Sequence, residues 1–190
     1  MNETPRSYFE AMYAKEADPW GFETRDYEHR KYALTIAALP RTRYARIFEP
    51  GCSVGVLTSA LADRCDELVA YEPIARAAAC ARLRNAETKT VTIEERAIPS
   101  AWPSGRFDLI VLSEILYYFD EAGVARLLEC VHDSLETQGQ VVAVHYRGAT
   151  DYPITGDRAH ALLDACALLK PMARYEEDLF RLDVLERSSS

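Results

Sequence analysis

The sequence predicts an α/β fold in which a mostly parallel sheet is covered by helices on both faces. Short apolar runs of strand length alternate with segments whose apolar residues recur at helical spacing. The run at residues 107–113, FDLIVLS, is almost continuously hydrophobic, as expected of a central strand buried on both faces. Two of the runs are followed closely by a proline, at Pro50 and Pro73, which is typical of a strand that ends in a turn.

The strands and helices are predicted in chain order from these apolar patterns. Strands are expected at residues 45–49, 67–71, 91–93, 107–113, 141–145 and 180–184. Helices are expected at residues 57–61, 74–83, 124–135 and 157–169. Gln138 and Gly139 separate the third of these helices from the strand that follows it.

The segment before residue 45 differs from the rest because it is rich in aromatic residues and helical in pattern. We expect it to form a helical cap over the edge or mouth of the sheet. A chain of 190 residues has the size of one domain. We therefore predict a single domain over residues 1–187, with the cap at 1–44, the core at 45–187 and a frayed tail at 188–190. The aromatic residues of the predicted cap include Tyr8, Phe9, Tyr13, Trp20, Phe22, Tyr27 and Tyr32.

Composition excludes several classes of protein. The formal net charge of −8 argues against a nucleic-acid binder, which needs a basic face to neutralise phosphates. No apolar stretch has the length of a membrane span, and the N-terminus lacks the apolar core of a secretory signal. Five scattered cysteines without a C-x-x-C pair favour a reducing cytoplasm, and four scattered histidines give a metal site little support. Both a monomer and a homodimer are compatible with the sequence.

The turn after the first strand, EPGCSVG at residues 49–55, admits three interpretations. The dinucleotide-binding pattern G-x-G-x-x-G fails, because Val56 stands where a small residue is needed. The pattern G-x-S-x-G of the α/β-hydrolase nucleophile elbow is matched, with Ser53 as the nucleophile. No strand or oxyanion loop is predicted before residue 45, which makes a serine hydrolase the weaker interpretation.

The third interpretation reads the turn as E-x-G-x-x-x-G, paired with Glu72 directly after the second strand. The glycines permit close approach of the backbone to a ligand. An acid after the second strand can accept both ribose hydroxyls of an adenosine-type ligand. The alternative is a strand–helix turn that binds no ligand. Ser53 occupies the middle position of the turn, and we expect its backbone to avoid positive φ.

This combination of turn and acid resembles the first two motifs of class I S-adenosylmethionine (SAM)-dependent methyltransferases. The resemblance implies a Rossmann-like, mostly parallel seven-stranded sheet with SAM as cofactor and S-adenosylhomocysteine (SAH) as product. Ser53 departs from the family, which usually has glycine there, and the stretch Arg96-Ala97-Ile98 after the third strand lacks the acid that the family often has at that place. The implied cofactor-binding residues of the core are Glu49, Gly51, Cys52, Ser53, Gly55, Glu72, Pro73, Ala97, Ile98, Ser113 and Glu114.

A closer resemblance covers nearly the whole chain. The segments DPWGF at residues 18–22, FEPGCS at 48–53, LSE at 112–114, AVHYR at 143–147 and DYPITGD at 151–157 are together similar to the rhizobial nodulation protein S family. Its members are small SAM-dependent methyltransferases, and the named member N-methylates the free amine of a deacetylated chitooligosaccharide. The resemblance therefore implies N-methylation of an amino sugar or of a deacetylated oligosaccharide, as a step of oligosaccharide biosynthesis.

Several residues carry two interpretations each. His145 ends the fifth predicted strand and is either a general base for the amine or a residue that bonds a sugar hydroxyl or a backbone group. Glu114 either orients an ammonium group or complements the dipole at a helix start. Trp20 either closes over the cofactor or packs the cap on the core. Arg30 either binds the cofactor's carboxylate or is solvated. Cys52 is expected to contribute to packing and not to act as a nucleophile.

The acceptor is expected to contact residues that follow the fourth and fifth strands. Tyr117 and Tyr118 are suited to stack on a sugar face, although aromatic residues after a central strand are often core. Two other functions stay open, an O-methyltransferase acting on a small hydroxylated metabolite and a SAM-binding protein without catalysis. The predicted substrate-binding residues are Tyr117, Tyr118, His145, Arg147, Tyr152 and Asp157.

Overall fold

The computed structural model describes residues 3–188. These residues form two compact units, one of residues 5–97 and one of residues 98–188 together with residues 3–4. The predicted frayed tail is described only at Ser188, and Ser189 and Ser190 lie outside the described residues. The boundaries of a single domain over residues 1–187 stay a prediction.

The unit of residues 5–97 begins with two helices and continues with alternating strands and helices. Its three strands are parallel neighbours in the order β3-β2-β1, and Ile47 in β1 lies opposite Leu68 in β2. The elements are α1 (Arg6–Lys15), α2 (Asp26–Ala38), β1 (Tyr44–Pro50), α3 (Val56–Ala62), β2 (Cys65–Tyr71), α4 (Ala75–Arg84) and β3 (Val91–Glu94).

The unit of residues 98–188 contains the other four strands. β4 and β5 are parallel, whereas β7 runs antiparallel to both β5 and β6. A single 3-10 turn over Leu116–Tyr118 connects β4 to the next helix. The regular elements are β4 (Phe107–Ser113), α5 (Glu121–Ser134), β5 (Leu135–Tyr146), α6 (Gly156–Ala165), β6 (Leu169–Glu176) and β7 (Phe180–Arg187).

The predicted fold class is confirmed as a mostly parallel seven-stranded sheet with helices, with the strand order β3-β2-β1 in the first unit and β4-β5-β7-β6 in the second. Strands β1 to β5 and β7 contain the apolar runs that predicted them, but β5 begins earlier than expected, at Leu135, and runs through Gln138 and Gly139 instead of starting after them. The predicted helix over residues 157–169 ends earlier, at Ala165, and β6 was not predicted. Only Leu169 of β6 is buried, so its sequence carries no apolar periodicity.

Helix α5 shows why the sequence folds as predicted. Its first turn is capped by the Asp120 side chain, which accepts the N–H of Gly123 at 2.8 Å. Val124, Leu127 and Val131 are spaced three and four residues apart and are fully buried on one face. Each such side chain contributes about 1.5–3 kcal/mol relative to an exposed one.

The two N-terminal helices confirm that the segment before residue 45 is helical, and they carry part of a buried aromatic cluster. The Tyr13 ring lies 5.5 Å from that of Trp20, which stacks on Phe22 at 5.8 Å. This cluster packs on Val54 and Ile74, at the starts of the segments that lead into α3 and α4. The cluster therefore holds the N-terminal helices beside the ends of β1 and β2.

Two features are absent from residues 3–188. No helix in that range is both long and apolar enough to cross a membrane. The same residues contain no group of three or more His, Cys, Asp or Glu side chains arranged to hold a metal ion.

Candidate functional site

The turn that follows β1 is bonded to the end of β2. The backbone N–H groups of Gly51 and Cys52 both donate to the carbonyl oxygen of Tyr71, at 2.7 and 3.0 Å. Gly51 and Gly55 have φ angles of 74° and 79°, a left-handed conformation that glycine adopts without steric cost. The turn is therefore a fixed backbone loop at the carboxyl end of two parallel strands, where open α/β sheets bind ligands.

Glu72 lies directly beneath this turn and is only 5% exposed. One carboxylate oxygen accepts the N–H of Ser53 at 3.0 Å, and the other accepts the N–H of Ile74 at 2.9 Å. Burial raises the pKa of Glu72 to about 7, although both N–H bonds act to lower it. Each oxygen has a second lone pair, so the carboxylate retains the capacity to accept further hydroxyl donors.

Ser53 corrects one expectation from the sequence. Its φ is 51°, so its backbone does adopt the left-handed conformation that we expected it to avoid. The conformation is held by the Glu72 bond to its N–H and by the hydroxyl of Tyr13, which lies 2.5 Å from Ser53 Oγ. The pKa of Tyr13 is raised by burial and by Glu72, so this phenol stays protonated.

The interior of the turn is not arranged for nucleophilic catalysis. The partner of Ser53 Oγ is a protonated phenol, whereas a nucleophile elbow pairs its serine with an imidazole base. Cys52 is buried, and burial together with Glu49 and Glu72 raises the pKa of its thiol, which keeps it unreactive. Glu49 accepts the hydroxyl of Thr58 at 2.6 Å, and burial raises the pKa of Glu49 to about 7.

The other predicted cofactor residues of this unit occupy varied environments. Trp20 packs within the aromatic cluster, which matches the packing interpretation, and Arg30 lies exposed on α2. Pro73 is partly buried between β2 and α4, and Ala97 is exposed at the end of the unit.

The structure adds a buried ion pair on α2 that sequence reasoning missed. Lys31 is 1% exposed, and its Nζ lies 2.7 Å from Glu28 and 5.0 Å from the centre of the Tyr27 ring. The spacing of three residues on a helix permits such a pair. It does not reveal burial, so the sequence held no signal for it.

In the unit of residues 98–188, Glu114 ties the ends of two strands together. It follows Ser113, the last residue of β4, with a φ of 54°. Its N–H donates to the carbonyl of Val144 at 2.9 Å, and its carboxylate accepts the N–H of Tyr146 at 3.0 Å and the hydroxyl of Tyr117. The alternative role at the start of an α-helix finds no support, because Glu114 is followed by a single 3-10 turn and α5 begins only at Glu121.

Three predicted acceptor residues form one aromatic group. The rings of Tyr117 and Tyr152 are stacked with centroids 5.0 Å apart, and Tyr118 contacts Tyr152 edge-on at 4.7 Å. Burial and the Glu114 carboxylate raise the pKa values of Tyr117 and Tyr118, so both hydroxyls remain donors. The sequence placed Tyr152 thirty-odd positions from the other two, and the fold brings all three together.

His145 is fully buried and its imidazole is engaged on both sides. Its Nε2 accepts the backbone N–H of Leu116 at 3.2 Å, and its Nδ1 lies 3.2 Å from Nε2 of His160. A general base needs an available lone pair, and here the Nε2 lone pair is taken by a backbone donor. The geometry favours the alternative interpretation, in which His145 bonds a backbone group.

Arg147 and Asp157 are also brought together. Nε of Arg147 lies 2.6 Å from Oδ1 of Asp157, and another guanidinium nitrogen donates to the carbonyl of Glu177 at 3.0 Å. Asp157 lies exposed in the first turn of α6. Arg147 and Asp157 thus form an exposed polar rim at the start of α6. Ile98, another residue predicted to bind the cofactor, is partly buried at the start of this unit.

Comparison with known structures identifies the class of protein to which this fold belongs. A putative methyltransferase from Pseudomonas syringae is 41% identical, covers 86% of this chain and all of its own, and superposes with a TM-score of 0.77. The N-methyltransferase NodS from Bradyrhizobium japonicum WM9, solved with SAH, covers 96% of this chain and 98% of its own at 20% identity and a TM-score of 0.84. The fold is that of class I methyltransferases.

The sequence comparisons specify the family. The family model of nodulation protein S (NodS) matches residues 10–149, and the chain belongs to this family. Nodulation protein S of Bradyrhizobium diazoefficiens is 31% identical over 102 residues, which cover 53% of this chain and 49% of the relative. The Sinorhizobium fredii protein is 28% identical over 117 residues, covering 61% and 53%. The chain thus spans about half the length of the curated relatives it matches.

Proposed function

We propose that this protein transfers a methyl group from SAM to an acceptor, and that the acceptor is the free amine of an amino sugar or of a deacetylated oligosaccharide. The observation that carries the proposal is the Glu72 carboxylate bonded to the left-handed turn at Ser53, in a chain of the nodulation protein S family. A relative solved with SAH has the same fold.

The residues of the turn suit an adenosine-type cofactor. The remaining lone pairs of Glu72 would accept the two ribose hydroxyls, and the glycines at 51 and 55 would let the backbone approach the ligand. When bound, SAM supplies a methyl group already activated on a sulfonium centre. The protein is then required to bind the acceptor and to orient it, because positioning alone contributes several kcal/mol to such a reaction.

Glu114 and the aromatic group would bind the acceptor. The Glu114 carboxylate suits an ammonium group, and the partly exposed rings of Tyr118 and Tyr152 suit the apolar face of a sugar ring. An amine attacks only in its neutral form, so an ammonium group must first release its proton to solvent. We assign Glu114 to orient the neutral amine by accepting a hydrogen bond from it. Arg147 and Asp157 would contact polar groups of a longer acceptor.

A transfer assay with a matched pair of acceptors tests the proposal. Chitotetraose with one free amine and the fully N-acetylated tetramer differ only at the amine, and both are incubated with the protein and SAM. We expect mass spectrometry to find one or more added methyl groups on the free-amine oligomer only. Methylation of both oligomers would identify the O-methyltransferase alternative, and binding of SAH without any transfer would identify a non-catalytic SAM-binding protein.

The hydrolase interpretation has its own control. A fluorophosphonate probe labels an activated serine, and we expect none at Ser53 because its hydroxyl is paired with Tyr13. Labelling that disappears in Ser53→Ala would contradict the proposed function. A cytoplasmic location remains a prediction that rests on the cysteine pattern.

A further inference from the structure

A chain of four buried polar groups runs from β7 to the turn that carries the acceptor tyrosines. Asp183 on β7 is 2% exposed, and His160 on α6 and His145 on β5 are fully buried. Oδ2 of Asp183 lies 2.7 Å from Nδ1 of His160, whose Nε2 lies 3.2 Å from Nδ1 of His145. Nε2 of His145 in turn meets the N–H of Leu116 at 3.2 Å.

The group at the β7 end of this hydrogen-bond chain, Asp183, accepts hydrogen bonds from several donors. Two arginines donate to Asp183, Arg174 to Oδ1 at 2.7 Å and Arg181 to Oδ2 at 2.9 Å. Burial acts to raise the pKa of Asp183, but the hydrogen bonds from His160, Arg174 and Arg181 outweigh it and hold that pKa well below its usual range. Asp183 is therefore ionised and can only accept hydrogen bonds.

The two ends determine the direction of every bond between them. Asp183 only accepts, so Nδ1 of His160 carries a proton and Nε2 of His160 is left with a lone pair. That lone pair accepts the Nδ1 proton of His145. The Nε2 lone pair of His145 then accepts the N–H of Leu116, which can only donate. Both imidazoles are thus neutral and protonated at Nδ1.

We propose that Asp183 and His160 are positioning residues for the acceptor side of the site, which act through His145 to fix the turn Leu116–Tyr118. The inference rests on the proposed function, because it assigns Tyr117 and Tyr118 of this turn to the acceptor. The ring of His145 also lies edge-on to that of Tyr117, with centroids 5.4 Å apart. If the direction of these hydrogen bonds were reversed, an N–H of His145 would face the N–H of Leu116, and the turn would be displaced.

Nitrogen-15 spectra of the histidine rings test the direction of the chain without any turnover. In the wild-type protein at neutral pH we expect His145 and His160 to be protonated at Nδ1 and unprotonated at Nε2. His29 is an internal control of the opposite tautomer, because its Nε2 faces the carbonyl oxygen of Glu23 at 2.8 Å and must donate to it. A proton on Nε2 of His145, or a doubly protonated ring, would overturn the inference.

The functional part is tested with Asp183→Asn and a matched control. Asp164→Asn removes a carboxylate from the same pair of arginines, since Asp164 contacts Arg174 and also Arg181 at 2.7 Å, but it leaves the Asp183–His160 bond in place. We expect Asp183→Asn to raise KM for the amine by about 10- to 100-fold and to speed hydrogen exchange at the Leu116 amide, with Kd for SAH unchanged within about twofold. The control should leave both constants within about twofold.

The outcomes separate this inference from the proposed function. If wild-type protein transfers no methyl group but shows both Nδ1 tautomers, the proposed function fails while the chain of bonds stands. If transfer occurs and Asp183→Asn changes neither KM nor the exchange of Leu116, the positioning role is refuted. His160→Gln provides a second variant should Asp183→Asn not fold, and the same rise in KM is expected of it.

Discussion

The backbone N–H of Ser53 donates to the Glu72 carboxylate at 3.0 Å, and this bond joins the turn after β1 to the residue after β2. The same turn receives the phenol of Tyr13, which the cap helix α1 brings to 2.5 Å from Ser53 Oγ. The hydrogen-bond partners of Ser53 therefore come from two different parts of the chain. One of them is the carboxylate that we assign to the cofactor ribose.

Replacement of Glu72 by Gln tests that assignment. The amide keeps one acceptor oxygen but loses the charge that strengthens bonds from hydroxyl donors, so SAH binding should weaken by about 1–3 kcal/mol. Isothermal calorimetry measures the change, and Glu87→Gln, at an exposed position after α4, is the matched control. An unchanged Kd in a folded Glu72→Gln protein would refute the role of Glu72 in cofactor binding.

Two substitutions at Ser53 separate backbone strain from the lost hydroxyl. Both Ser53→Ala and Ser53→Gly remove the contact with Tyr13, but only glycine adopts a φ of 51° without steric cost. The alanine variant should therefore be less stable than the glycine variant by about 1–2 kcal/mol. Urea unfolding of the two proteins measures this difference. Equal stabilities would show that the backbone at Ser53 is not strained.

Buried carboxyl groups beneath the turn should make the unliganded protein more stable in mild acid. The pKa values of Glu49 and Glu72 are about 7 in the native state, above the ordinary value of 4.5. Between pH 4.5 and 7 these two groups bind more protons in the native state than in the unfolded chain, so their contribution to stability falls as pH rises through this window. Each group contributes a slope of up to about 1.4 kcal/mol per pH unit.

Glu49→Gln is the control for this pH dependence, because an amide at the same position can still accept the hydroxyl of Thr58 but does not titrate. In urea unfolding from pH 5 to 7.5, the slope of stability against pH should be more positive in this variant than in the wild type, by up to about 1.4 kcal/mol per pH unit. Equal slopes in the two proteins would contradict the raised pKa of Glu49.

Gly55 is expected to tolerate substitution poorly. A Cβ atom there would lie 2.8 Å from Nδ2 of Asn85 and 3.0 Å from Cα of Ala81, at a φ of 79°. Gly105 has a similar φ of 87° but is exposed, so alanine there incurs chiefly the backbone strain. Gly55→Ala should lose about 1–3 kcal/mol more stability than Gly105→Ala. Similar melting temperatures for the two variants would show that α4 yields to the extra methyl group.

The sequence predicted the core strands well because each is an apolar run that its neighbours bury. It did not predict β6, whose residues after Leu169 are exposed and gain order only by pairing with β7. Ser53 was assigned the wrong backbone conformation for a related reason, since the contacts that hold it come from Tyr13 and Glu72, which are distant in sequence. Local patterns contain no information on such partners.

The candidate site was predicted in the same uneven way. Glu72 and Glu114 were identified because an acid directly after a strand is a local pattern, and the resemblance to a family supplied their roles. His160 was missed, since a single histidine on a helix has no distinguishing pattern. Asp183 did carry a signal, because it is an acid within the apolar alternation of β7, and such a residue requires a partner when buried.

Calorimetric titration with SAH decides whether the turn after β1 binds the cofactor at all. The proposed function predicts micromolar binding to the wild-type protein and its loss in Gly51→Val, because valine does not accept the φ of 74° found at this position. Circular dichroism confirms that the variant is folded, and Glu87→Gln should bind as the wild type does. A folded wild-type protein that binds neither SAH nor SAM would contradict the account.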